Sequence, residues 1–206
     1  MKKTTSIILI SFVIILLCSS NCMAFWLIYY KSGYKGRILD AETKEPIKDA
    51  VVVAIYYSHT IIGGPAGGWT SVVNTRETLT DENGEFYIYP YLTIFNPFMY
   101  QHGTEFIIYK PGYASYPNYR IVPIHYFSPY AEDFFTEDIG EKGEKRVWRN
   151  TYPVTYGIVE LPRLKTKEER LRAVPSRPTD MRADDLPLLF KAINEDRKKF
   201  GLDDVG

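Results

Sequence analysis

We predict a mainly β fold, an antiparallel β-sandwich followed by short C-terminal helices, from three features of the sequence. Aromatic residues make up 15% of the chain, and their flat side chains pack well on a pleated surface. Runs of branched aliphatic residues alternate with turns rich in Gly, Pro, Asn and Asp, as they do between strands. Helical start and stop signals occur towards the C-terminus.

Length and charge limit the class of protein. With 206 residues, of which 45% are hydrophobic, the chain can bury one sizeable core and a small appendage. We therefore predict one sandwich domain at about residues 32–164 and a helical extension at residues 165–206. Lys plus Arg and Asp plus Glu both number 25, so the net charge is zero and we expect no nucleic-acid partner.

Residues 1–24 have the pattern of an export signal. Lys2 and Lys3 precede an apolar run at residues 7–18, and Cys22-Met23-Ala24 has small residues at the two positions that a signal peptidase reads. We therefore predict an exported protein, located in the periplasm or the cell envelope.

Three fates of this segment remain open. Cleavage between Ala24 and Phe25 would give a soluble protein, whereas cleavage before Cys22 would give a lipid-anchored one. Asn21 is a poor residue to precede a lipidated cysteine, which favours the soluble form. The third fate is a retained signal anchor, although about 12 apolar residues are too few to span roughly 30 Å of hydrocarbon unless the helix continues. A chain cut after Ala24 would have no thiol, since Cys18 is also removed.

The first part of the domain reads as a strand, a polar turn and a buried strand. Residues 36–39 form a short strand candidate, and residues 40–48 cannot extend it because Pro46 lacks a backbone donor and Asp and Thr side chains compete for hydrogen bonds. Residues 50–57 are apolar at both alternating positions. This pattern predicts a strand in the middle of a sheet that is covered on both faces.

Two further turn signals follow. Asn83 and Gly84 tolerate positive φ, so residues 81–84 predict a hairpin between strands at 77–80 and 85–89. In the second arm, Phe86 and Ile88 would share one face. Residues 105–113 predict a strand that is closed by the turn pair Pro111-Gly112.

The C-terminal part reads as a last strand and two helices. After a strand within residues 154–164, Thr166 and Glu169 have the spacing of a capping box, and Pro175 stops the helix that follows. Residues 184–202 predict a second, amphipathic helix with Leu189, Ile193 and Phe200 near one face. We expect this helix to dock on the sandwich; docking on a separate partner is the alternative.

The order of turns and strands in residues 34–113 is specific enough to suggest a family. The positions concerned are Gly36 and Ile38; Asp40, Thr43, Pro46 and Ile47; Ala50 and Val52; and Thr80, Asp81, Gly84 and Phe86. They resemble the carboxypeptidase regulatory-like domain family, which comprises small prealbumin-like sandwiches found in metallocarboxypeptidases and bacterial envelope proteins. The resemblance implies a prealbumin-like Greek-key β-sandwich. It implies no activity, because these positions are turns and core and the module is not catalytic.

No pattern of residues indicates an enzyme. His59, His102 and His125 lack the spacing of metal ligands, and neither a serine-hydrolase Gly-x-Ser-x-Gly nor a phosphate-binding Gly-Lys-Ser/Thr occurs. Adjacent acids on a strand point to opposite faces, and acids in turns are usually solvated. We therefore expect a non-catalytic protein without a cofactor or a metal.

Two functions remain. The first is an exported structural or protein-interaction module of the cell envelope, whose partner is an envelope protein and which contacts the membrane through its N-terminal anchor or lipid. The second is a carbohydrate- or peptide-binding module that uses exposed aromatics, for which the candidates are Trp69, Tyr113, Tyr116 and Tyr119. The exposure of these aromatic residues distinguishes the two functions. If they form one exposed patch, binding is favoured; if they are buried, a structural role is favoured. A Lys35–Asn150 cross-link, as in adhesin sandwiches, is a further idea.

Overall fold

The structure is a computed structural model that describes residues 28–31, 33–60, 68–94, 99–117, 157–175 and 181–205. These residues form the strands β1 (Ile28–Lys31), β2 (Tyr34–Asp40), β3 (Val51–Thr60), β4 (Thr70–Leu79), β5 (Glu85–Ile88), β6 (Tyr91–Ile94), β7 (Met99–Tyr109) and β8 (Ile158–Leu161). The helices are α1 (Lys167–Arg172) and α2 (Pro187–Lys198), with a 3₁₀ turn at Ala183–Asp185. The mainly β fold with short C-terminal helices is therefore confirmed.

Two three-stranded sheets pack face to face. Their strand orders are β5-β2-β8 and β4-β3-β7. The core between them is built from both sheets and includes Ile38, Val52 and Phe86. Within it, the rings of Tyr34 and Phe106 meet edge to face with their centroids 4.9 Å apart. This is the two-layer arrangement of a β-sandwich.

One strand pair departs from the antiparallel order that we predicted. β2 and β8 run parallel, with Ile38 opposite Val159, whereas the other paired strands that the structure describes are antiparallel. A parallel partner requires a crossover connection of a dozen or more residues. The chain between Asp40 and Ile158, which includes β3 to β7, is far longer than this minimum.

β3 is buried on both faces, as its apolar pattern predicted. Val52 and Ala54 pack into the core between the sheets. Val51, Val53 and Ile55 point the other way and pack against α2 and the residues that precede it. The sandwich therefore has a third layer, and the strand at the centre of the β4-β3-β7 sheet lies between two apolar cores.

The turn at residues 81–84 forms, but the hairpin that we predicted from it is wrong. The Asp81 side chain accepts hydrogen bonds from the amides of Asn83 and Glu85, and Gly84 has a φ of +72°. However, β4 pairs with β3 while β5 pairs with β2, so the turn connects the two sheets. The Gly84 carbonyl accepts from the Ile38 amide at 2.8 Å, which brings β5 to β2.

Thr80 is the residue that redirects the chain at this corner. Its buried hydroxyl donates to the Ile47 carbonyl at 2.6 Å and accepts from the Ala50 amide at 2.8 Å. Because these bonds attach the end of β4 to the turn before β3, the chain leaves the sheet at this point. In β5, Phe86 and Ile88 are buried on one face, as the alternation predicted.

Both predicted helices form. The Thr166 hydroxyl and the Glu169 carboxylate make the predicted capping box at the start of α1. α2 begins with Pro187 in its first turn, and Leu189 and Ile193 are buried against the β4-β3-β7 sheet. The docking of this helix on the sandwich is therefore confirmed.

Candidate functional site

Three of the predicted ligand residues lie in the described part of the chain, and they do not form one surface. Trp69 is 60% exposed, and its carbonyl accepts from the Thr60 amide at the end of β3. Tyr113 and Tyr116 are half-buried and pack against the core between the sheets. Tyr113 follows β7, which runs antiparallel to β3, so it lies about 30 Å from Trp69, at the other end of the sheet.

Several other residues singled out from the sequence lie outside the described residues. These are Tyr119, Cys22, Ala24, Phe25 and Asn150. Lys35, the proposed cross-link partner of Asn150, is exposed on β2.

Tyr113 belongs to a cluster around the buried carboxylate of Asp40. Its hydroxyl donates to Asp40 Oδ2 at 3.2 Å, and Arg163 Nε donates to the same oxygen at 2.5 Å. The Arg163 guanidinium also lies 5.5 Å from the centre of the Tyr113 ring. Tyr113 therefore joins the turn after β2 to the residues after β8.

The other carboxylate oxygen of Asp40, Oδ1, stabilises the polar turn that follows β2. Asp40 Oδ1 accepts from the amides of Glu42 at 2.9 Å and Thr43 at 3.0 Å. Burial alone would raise the pKa of Asp40, but these amides, Arg163 and Tyr113 together lower it to about 2. The carboxylate therefore stays ionised and acts as a structural acceptor.

A second buried acid, Asp196 of α2, connects three elements. Its Oδ2 accepts from the hydroxyl of Tyr109 on β7 at 3.3 Å, and its Oδ1 is paired with Arg170 of α1. The Arg170 guanidinium lies over the Phe200 ring at 4.9 Å. Burial and the neighbouring carboxylate raise the pKa of Tyr109 far above its usual value, so its proton stays on the hydroxyl.

A third acid, Glu77, is half-buried between β4 and α2. Its two carboxylate oxygens accept from the amides of Leu188 and Leu189 at 2.8 and 2.9 Å. Burial raises the pKa of Glu77 despite these two donors. Asp40, Asp196 and Glu77 are thus each bonded to backbone or side-chain groups that hold the fold together.

The outer face of the β4-β3-β7 sheet carries an aromatic strip beyond α2, which we define as Tyr57, His59, Tyr100 and Glu105. His59 is opposite Tyr100 in the register, and their ring centroids are 5.2 Å apart. The Tyr57 hydroxyl donates to Glu105 Oε2 at 3.1 Å. Tyr100 is 46% exposed.

The sequence reasoning missed this strip because its members come from two strands. β7 shifts its register against β3 between Tyr57 and Ser58, so counting along the chain does not pair Tyr100 with His59. The only local signal for the strip was that Tyr57 and His59 lie two residues apart and therefore on one face of β3. Such alternation occurs in many strands and does not identify a binding surface.

The ribbon formed by β1 and β6 carries three strongly exposed apolar side chains, and one of them, Ile94, is the most exposed large hydrophobic residue in the described part of the chain. Tyr30, Leu92 and Ile94 are 61%, 68% and 84% exposed. Tyr30 is opposite Leu92, and Ile94 lies two residues further along β6, so the three share one face. We call these three residues the ribbon face.

The ribbon continues the β2-β5 strand pair without a change of register. Tyr34 is opposite Ile88, and three residues further along each strand Lys31 is opposite Tyr91. Tyr30 and Leu92 therefore have the same alternation as Tyr34 and Ile88, which are buried in the core. Tyr30 and Leu92 thus continue the apolar alternation of the core strands at positions that are exposed.

No protein-family model, curated protein or solved structure matches this chain. Within the described ranges, no helix is long and apolar enough to cross a bilayer. In the same ranges, His, Cys, Asp and Glu side chains form no group of three or more that could hold a metal ion. The exposed apolar side chains of the ribbon face and the paired rings of the aromatic strip make these two surfaces the functional candidates among the described residues.

Proposed function

We propose that the protein is an exported, non-catalytic module of the cell envelope that contacts a partner through the ribbon face. The exposure of Tyr30, Leu92 and Ile94 on one face carries this proposal. Each Å² of apolar surface left in water costs about 25 cal/mol, and the largest contiguous apolar patch of a protein surface is often functional.

Export is proposed from the sequence of residues 1–24, with its two lysines, apolar run and small residues. Kinship with the carboxypeptidase regulatory-like domains belongs to the same proposal. It is supported by the Asp40 turn and the Asp81 turn, which form where the family pattern has its turns. Modules of that family occur in bacterial envelope proteins, which agrees with an exported location.

The bonding of the buried acids supports a non-catalytic role. A general acid or base needs a carboxyl group that can exchange its proton with a substrate. Asp40 and Asp196 are instead occupied by arginine, tyrosine or backbone donors, and Glu77 by two helix amides. We place the function on the surface for this reason.

Photo-crosslinking in cells of the native host tests the proposed function. A photoreactive amino acid would replace Leu92 in the full chain, and the matched control would replace Leu79, which is 43% exposed at the far end of β4. We expect an envelope component to be crosslinked from position 92 and none from position 79. Equal yields at both positions, or no adduct at position 92, would contradict the proposal.

Carbohydrate binding at the aromatic strip is the second candidate function. The paired rings of His59 and Tyr100 can stack on a sugar, and Glu105 beside Tyr57 can accept hydrogen bonds from sugar hydroxyls. A glycan array probed with the wild-type chain and with Tyr100→Ala tests it. Tyr89→Ala, which changes an exposed tyrosine away from the strip, is the control. Binding that Tyr100→Ala leaves unchanged would exclude this site.

A further inference from the structure

We propose that the ribbon face lies in the interfacial layer of a membrane to which the N-terminal segment is attached. This inference rests on the proposed function, because it names the partner of the same surface, and it requires the lipid-anchored or the signal-anchor fate of residues 1–24 rather than cleavage after Ala24. The partner is the lipid surface itself, contacted by the side chains of Tyr30, Leu92 and Ile94.

The position of the ribbon in the chain is the first argument. β1 begins at Ile28, only six residues after Cys22 and ten after Cys18, the last residue of the apolar run. Six extended residues reach at most about 20 Å. A lipid on Cys22, or a retained apolar run, would therefore hold the ribbon close to the bilayer surface.

The size of the ribbon face is the second argument. A stable protein–protein interface buries about 800 Å² on each partner, and three partly exposed side chains supply roughly a few hundred Å². A small patch is sufficient for a surface to which the protein is already tethered, because the tether makes the contact intramolecular. The area therefore favours a membrane over a second copy of the chain or another protein.

The chemistry of the ribbon face is the third argument, and it also limits how deeply the ribbon enters the membrane. Tyrosine is enriched where membrane meets water, because its ring is apolar and its hydroxyl is polar. Leu92 and Ile94 supply aliphatic groups beside Tyr30. A ribbon of two strands has open edges with backbone groups that need water or a partner, so it cannot enter the hydrocarbon core. Insertion is therefore shallow and limited to the side chains.

The register shared with the core strands accounts for the apolar character of these residues. Tyr30 and Leu92 continue the alternation of Tyr34 and Ile88, which in the sandwich face a second sheet. On the ribbon, these apolar side chains are exposed within the described part of the chain, Ile94 to 84%. A lipid surface would cover them.

Lipid quenching of a site-specific probe tests the inference. The full 206-residue chain would be reconstituted in vesicles of phosphatidylcholine and phosphatidylglycerol, with an environment-sensitive fluorescent amino acid in place of Leu92. Lipids with a nitroxide at a shallow depth act as quenchers. The control chain carries the probe in place of Leu79. We expect a blue-shifted emission and several-fold stronger quenching at position 92 than at position 79.

A second variant ties the signal to the ribbon face. Ile94→Ser should reduce the quenching at position 92, whereas Val73→Ser, a change of an exposed residue on β4, should leave it unchanged. Equally weak quenching at positions 92 and 79 would overturn the inference. A mature chain that begins at Phe25 and is wholly soluble would overturn it as well.

These results also separate the inference from the proposed function. If position 92 is not quenched by lipid but still crosslinks to a protein in cells, the membrane inference fails and the interaction module stands. If position 92 gives neither quenching nor an adduct, both proposals fail.

Discussion

The Glu77 side chain of β4 accepts a hydrogen bond from the Leu188 backbone amide at 2.8 Å, and in this way it caps α2 from outside the helix. The N-cap residue of that helix is Leu186, which has no side-chain acceptor, and Pro187 follows it. The first amides of a helix need such acceptors because they have no partner within the helix. The sheet therefore supplies what the helix sequence lacks, and docking and capping occur together.

Replacement of Glu77 should therefore destabilise the protein. We expect Glu77→Ala to lower the free energy of unfolding by about 1 kcal/mol, the usual cost of a lost N-cap, and Glu77→Gln to lower it by less because one oxygen remains. Urea denaturation followed by circular dichroism measures both. The control is Glu85→Ala, which removes an exposed acid from β5. A loss as large for Glu85→Ala as for Glu77→Ala would contradict the capping role.

The low pKa of Asp40 predicts how stability changes in acid. Because the folded-state pKa is about 2 and the ordinary value is 3.8, the contribution of Asp40 is complete above about pH 4 and is lost as the pH falls towards 2. It amounts to about 2 kcal/mol. Urea midpoints measured from pH 5 to pH 2 should fall less steeply for Asp40→Asn than for the wild type. Parallel curves for the two chains would show that Asp40 is not responsible.

Tyr113→Phe should distinguish a structural tyrosine from a ligand-binding one. The change removes the hydroxyl that donates to Asp40 and leaves the ring under Arg163, so we expect a loss of about 1 kcal/mol. Tyr89→Phe, at an exposed position, should cost nothing measurable. If Tyr113→Phe is neutral in stability, the cluster around Asp40 does not depend on this hydroxyl.

Local features of the fold could be predicted from the sequence, because their causes are local. The two-faced apolar pattern after Ala50 identified a covered strand, and the spacing of Thr166 and Glu169 identified a helix start. Asn83-Gly84 predicted that the chain changes direction, but not which strand β5 pairs with. The residues of a turn determine only the local backbone angles. The pairing of β5 with β2 depends on the bonds of Thr80 and on the amide of Ile38, which is distant in the sequence.

The candidate surfaces were harder to predict for a related reason. The ribbon face needs the pairing of Tyr30 with Leu92, which lie 62 positions apart in the sequence. Tyr113 looked like an exposed aromatic because Asp40 and Arg163, its partners, are distant in the sequence. Exposure depends on such long-range contacts, and no local pattern reports it.

Asp196 should be the most sensitive of the three acids. Its side chain is nearly inaccessible to water and is bonded to Arg170 and to the Tyr109 hydroxyl. Asp196→Ala would leave the Arg170 charge partly buried without its carboxylate, so we expect a loss of about 3 kcal/mol in the free energy of unfolding. The control is Glu195→Ala, at the exposed neighbouring position of α2.

A double variant tests the physical reason for that loss. If the cost comes from the uncompensated charge of Arg170, then Arg170→Met together with Asp196→Leu should recover much of the stability, because no charge is then left in the apolar surroundings. Urea denaturation of the two single variants and the double variant gives the coupling energy. A double variant as unstable as the sum of the single ones would show that the two residues act independently. Asp196 would then stabilise the attachment of α2 to β7 through its hydrogen bond with the Tyr109 hydroxyl and not through Arg170.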